Sequence, residues 1–70
     1  MKYKDLELAI YILQGEIACN SGIIYYYEEI IDDDEMSTAQ REAARLIIDG
    51  LYAQSRELMI AIEALKIASK

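Results

Sequence analysis

Seventy residues carrying 7 basic and 13 acidic side chains, a net charge of -6, admit one domain (1–70) and leave no room for separate catalytic and regulatory modules. A lone cysteine, Cys19, excludes an intrachain disulfide, and the lack of histidine removes the usual zinc-ligand sets. Stability must then come from packing and self-association, for which an apolar content of 54% supplies the material.

The first predicted element is a helix over about 4–31. Tyr3, Leu6, Ile10, Leu13, Ile17, Asn20, Ile24, Tyr27 and Ile31 advance by alternating steps of three and four, while Glu7, Gln14, Ser21 and Glu28 recur every seventh residue on the reverse face. This is a coiled-coil-like seam, not a strand. Cys19-Asn20-Ser21-Gly22 reads locally as a turn, so a three-helix arrangement with a break at Asn20–Gly22 is the alternative.

An acidic turn over about 32–37 follows. Asp32, Asp33, Asp34 and Glu35 oppose the dipole at a helix C-terminus but favour the start of the next helix, so the first helix is expected to end near Ile31. Ser37 and Gln40 have the spacing of a capping box, which starts a second helix over about 38–68. Its seam is Ala44, Ile48, Leu51, Ser55, Leu58, Ile62 and Leu65, with Glu42, Asp49, Arg56, Glu63 and Lys70 outside. So short a connection makes an all-α antiparallel hairpin.

Leu8, Ala9, Tyr11, Ile12, Ala18, Cys19, Ile23, Tyr25, Tyr26 and Ile30 widen the apolar surface of the first helix beyond what one partner helix covers. Two hairpins pairing as a homodimeric four-helix bundle would cover it. Cys19, Asn20, Ile23, Ile24 and Ser55 are the candidate dimer or register residues. With the turn centred near Asp34, Asn20 is expected opposite Ile48 and Ser55 opposite Leu13, so the two polar residues are not expected to bond within one hairpin. Asn20 could instead meet its symmetry mate. A close backbone contact would explain Gly50.

From Asp5 to Glu35 the chain has nine acids, Asp5, Glu7, Glu16, Glu28, Glu29, Asp32, Asp33, Asp34 and Glu35, and no base. That segregation disfavours direct nucleic-acid binding and favours a protein partner with a basic surface. Tyr25, Tyr26, Glu28, Glu29, Asp32, Asp33, Asp34 and Glu35 are the candidate protein-binding residues, since tyrosine combines contact area with a polar tip.

Enzymatic readings are weak. The acidic run lacks the alternating ligands and glycine of a calcium loop, and the pairs Glu28/Asp32 and Glu29/Asp33 lack the histidines of di-metal bundles. Cys19 has no base to make it a thiolate. No enzyme activity, metal or cofactor is expected. No apolar run reaches the length of a membrane span, and Asp5 and Glu7 interrupt any signal-like start, so the cytoplasm is the expected compartment.

Together these features describe a small acidic interaction module, an adaptor or an inhibitor. The alternative is an inhibitor that imitates nucleic acid, such as a phage- or plasmid-encoded regulator of a DNA- or RNA-binding protein. A helical nucleic-acid binder using Arg41, Arg45 and Arg56 is opposed by Glu42 and the acidic run.

Overall fold

The computed structural model describes residues 3–68, with side chains from Asp5 to Ala68. Tyr3 of the first seam is therefore placed by its backbone alone, and Lys70 of the second helix's outer face lies outside the described residues. Two helices, α1 (Tyr3–Asp32) and α2 (Thr38–Ala68), form an all-α hairpin measuring 52 × 14 × 12 Å, with no sheet among the described residues.

α1 runs through Cys19-Asn20-Ser21-Gly22 unbroken, so the three-helix alternative falls. The turn-forming side chains are occupied elsewhere. Ser21 Oγ donates to Ile17 O at 3.1 Å, one turn back along the same helix, and Asn20 bonds across the hairpin. Gly22 has no positive φ, so it does not act as a helix C-cap.

α1 ends one residue beyond expectation, at Asp32, where Asp33 N donates to Ile30 O at 3.2 Å. Asp33 organises the turn. Its carbonyl accepts from Met36 N at 3.1 Å and from Arg41 Nη2 at 2.8 Å, while its Oδ1 accepts from Glu35 N at 2.9 Å. Arg41 thus places a cation against the negative end of α1, which its own last turn lacks. The same guanidinium approaches Asp34 at 3.7 Å, but that carboxylate is fully exposed and the pair contributes little. Ser37 and Gln40 form the reciprocal capping box: Gln40 N donates to Ser37 Oγ at 3.1 Å, and Ser37 N donates to Gln40 Oε1 at 2.8 Å.

The register differs from the sequence expectation. Asn20 Nδ2 donates to Gln54 Oε1 at 2.9 Å and to Ser55 Oγ at 3.3 Å, so Asn20 lies opposite Ser55 rather than Ile48. The two polar seam residues therefore do bond within one hairpin. Carried along both helices, this pairing sets Asp32 level with Ala43, so the first turn of α2 overhangs the end of α1. Arg41 reaches back from that overhang to the Asp33 carbonyl. A symmetric turn centred near Asp34 cannot produce such an offset.

Ile24, Ala44, Ile48 and Ile62 are the buried apolar side chains, and Asn20 is buried among them. Leu6, Leu13, Ile17, Leu51, Leu58 and Leu65 are half-buried along the same seam. The accessible surface is 5354 Å². Surface-to-mass scaling gives about 4,450 Å² for a compact 8.0 kDa protein, so the hairpin leaves a large surplus of wet surface.

Candidate interaction surface

Two helices side by side present two faces and two outer edges. The antiparallel pairing and a rotation of about 100° per residue sort the side chains between them. One face is charged: α1 contributes Glu7, Gln14, Ser21 and Glu28, and α2 contributes Arg45, Asp49, Arg56 and Glu63. Tyr52 Oη donates to Glu28 Oε1 at 3.4 Å across this face, while Arg45 pairs with Glu42 and Lys66 with Glu63 along α2.

The opposite face carries Leu8, Ile12, Cys19, Ile23 and Tyr26 from α1, and Ile47, Gly50, Gln54 and Ala61 from α2. Among them Leu8 is 58% exposed, Ile12 52% and Tyr26 59%. An open depression on this side, bounded by Ile12, Gly15, Glu16, Cys19, Asn20 and Gln54, has a volume of about 560 Å³. The Asn20–Gln54 hydrogen bond, from Asn20 Nδ2 to Gln54 Oε1, borders it.

The candidate protein-binding residues are contiguous in sequence but not on the surface. Tyr25, Glu28, Glu29 and Asp32 share an arc of α1 running from the outer edge toward the charged face, and all four are exposed. Tyr26 points instead to the apolar face. It makes an edge-on contact with half-buried Tyr27, with ring centroids 5.2 Å apart at 81°. Asp33 is half-buried and engaged in the turn, whereas Asp34 and Glu35 are exposed beyond it.

Of the candidate dimer or register residues, Asn20 and Ile24 are buried in the hairpin and Ser55 is half-buried against Asn20. Cys19 and Ile23 are exposed on the apolar face. Gln54, the nearer partner of Asn20, was not singled out from sequence. Its position next to Ser55 in the polar interruption of the second seam is the available signal. Gly50 meets no close backbone contact within the chain, because a Cβ there would have nothing within 4 Å.

Among the described residues, no group of three or more Cys, Asp or Glu side chains is arranged to hold a metal ion, and no helix is long and apolar enough to cross a membrane. No family model, curated protein or solved structure matches this chain.

Proposed function

We propose that this protein is a cytoplasmic interaction module, without chemistry of its own, that binds a partner protein bearing a basic surface. One observation carries the reading. Glu28, Glu29 and Asp32 stand with Tyr25 on one exposed arc at the closed end of the hairpin, inside a segment that has no base of its own. Three carboxylates within about two turns create a local negative potential that steers a basic partner, and the tyrosine supplies short-range contact area. Arg41 is already committed to Asp33 O and Asp34, and Arg45, on the charged face with Glu28, pairs with Glu42.

We also propose that the working form is a homodimer of hairpins, a four-helix bundle. Two separate hairpins expose about 10,700 Å², twice the 5354 Å² of one, whereas scaling gives about 7,400 Å² for a compact body of twice the 8.0 kDa mass. The difference, about 3,300 Å² in total, falls in the range of obligate dimers. The acidic arc remains outside such a bundle and would be presented twice.

Affinity capture from the native host at physiological salt tests the binding reading. The unmodified chain is compared with a Glu28→Gln, Glu29→Gln, Asp32→Asn variant, and the captured protein is then purified and titrated with both. Loss of affinity at unchanged helicity, with weaker binding as salt rises, is the expected result. Equal affinity for both chains would overturn it, as would tighter binding of purified DNA or RNA than of any protein. Nucleic-acid imitation, favoured by the base-free run from Asp5 to Glu35, further requires that nucleic acid compete for the same site on the partner.

A further inference from the structure

We infer that the apolar face of the hairpin is covered by a second copy lying antiparallel to the first, on a two-fold axis perpendicular to the helices that passes between Cys19 and its mate. The inference rests on the self-association proposed above and adds the face, the direction and the residues that meet.

The side-chain pattern on that face is symmetric. Counting outward from Cys19 along α1, positions four away are Gly15 and Ile23, seven away Ile12 and Tyr26, and eleven away Leu8 and Ile30. Counting outward from Gln54 along α2, the same offsets give Gly50 and Leu58, Ile47 and Ala61, and Ala43 and Leu65, with Leu58 and Leu65 at the border of this face and half-buried in the seam with α1. The two centres are at nearly one level, because Asn20, next to Cys19, bonds Gln54 directly. An axis there lays α1 on its own mate and α2 on its own mate. It also sets a small residue against a large one in most pairs: Gly15 on Ile23, Gly50 on Leu58, Ile47 on Ala61 and Ala43 on Leu65. Such alternation lets two helices interdigitate.

The glycines support the same face independently. A Cβ at Gly15 or Gly50 would meet nothing within 4 Å, so packing inside the hairpin does not require either residue to be glycine. Each lowers helix propensity, and a close approach by a facing Ile23 or Leu58 supplies a reason for both.

Charge selects the direction. The four lysines, Lys2, Lys4, Lys66 and Lys70, lie within five residues of the first or last position of the sequence, and the hairpin brings positions 4 and 66, with Asp5, Glu7 and Glu63, to the end opposite the acidic turn. Parallel hairpins would crowd two copies of Asp32–Glu35 together. Antiparallel hairpins set each acidic turn toward the lysine-bearing end of the other copy.

The test uses sedimentation equilibrium of the unmodified chain together with disulfide mapping. In a Cys19→Ser background, Ile12→Cys and Tyr26→Cys chains are prepared separately and mixed. Oxygen with a copper–phenanthroline catalyst then accepts two electrons and two protons as each pair of thiols joins. Antiparallel pairing brings position 12 of one copy to position 26 of the other, while two copies of position 12 stand 14 residues, about 21 Å, apart along the axis. A bridge needs Cα atoms within about 7 Å. Mixed in equal amounts, the two chains pair with each other in about half of the dimers, which should form the 12–26 bridge, and the Ile12→Cys chain alone should form less than a tenth as much dimer. A dimer that bridges 12 to 12, or that yields no 12–26 product, overturns the arrangement while leaving self-association standing. A folded monomer at micromolar concentration overturns both. Gly15→Leu in the otherwise unmodified chain gives a second readout: position 15 is exposed in the hairpin and a Cβ there meets nothing within 4 Å, so helicity should persist while dimer affinity falls at least tenfold. Unchanged affinity in that variant counts against the face.

Discussion

Asn20 permits the most direct check of the register. The residue is 8% exposed, and its amide nitrogen donates two hydrogen bonds, to Gln54 Oε1 at 2.9 Å and Ser55 Oγ at 3.3 Å. At about 1 kcal/mol net for each bond, Asn20→Ala removes roughly 2 kcal/mol. Water replaces the bond at exposed Gln54, and the better helix propensity of alanine returns about 0.6 kcal/mol, leaving a net loss of about 1–1.5 kcal/mol. For a chain of this size that loss lowers the midpoint of thermal unfolding by about 4–12 °C. Asn20→Leu should behave in the opposite sense, matching or exceeding the parent in stability, because it removes the polar group from an apolar seam instead of leaving a gap. Circular dichroism during denaturant titration, at one fixed protein concentration because assembly would contribute by mass action, measures both variants. A double-mutant cycle with Gln54→Ala should return a coupling of about 1 kcal/mol. If the coupling is below about 0.3 kcal/mol, while a cycle between Asn20 and Ile48 exceeds it, the hairpin register described above is wrong.

Other substitutions probe the remaining parts of the argument. Ser37→Ala deletes one half of the capping box and should cost about 1 kcal/mol in chemical denaturation, with Gln40→Ala adding less than its own single effect because the two bonds act together. Gly22→Ala should stabilise by about 0.5–1 kcal/mol, since a Cβ there meets nothing within 4 Å and φ is not positive; a loss of stability would show that another molecule approaches that edge of α1. Ile24→Glu buries a carboxylate at a site only 6% exposed, and loss of the cooperative unfolding transition is expected at neutral pH. A variant that still unfolds cooperatively at the parental midpoint would mean that Ile24 is not in the core.

The architecture was legible because its determinants are local or strictly periodic. Two seams with steps of three and four residues specify two helices, and the Ser37–Gln40 spacing specifies where the second begins, as the reciprocal hydrogen bonds show. The register was not legible, because it depends on how the turn is closed and not on which residues form it. Arg41 binds the Asp33 carbonyl from the first turn of α2, so α2 starts beyond the end of α1, and every pairing shifts by about two turns from that of a symmetric turn. This shift brings Asn20 to Ser55 instead of Ile48, turning two apparent interruptions of separate seams into one hydrogen-bonded layer. The candidate surface was obscured in a different way. Tyr25 and Tyr26 adjoin in sequence, yet a rotation of about 100° separates them, sending Tyr25 toward Glu28, Glu29 and Asp32 and Tyr26 toward Cys19 and Ile23. The excess apolar surface of α1 was visible as composition. Its division between a core-facing seam and a second stripe follows only when the buried residues, Asn20 and Ile24 first among them, fix which side of the helix faces α2. With that orientation fixed, the charged and apolar faces serve separable purposes, and substitutions on the Glu28 arc should alter partner binding without altering assembly through the Cys19 face.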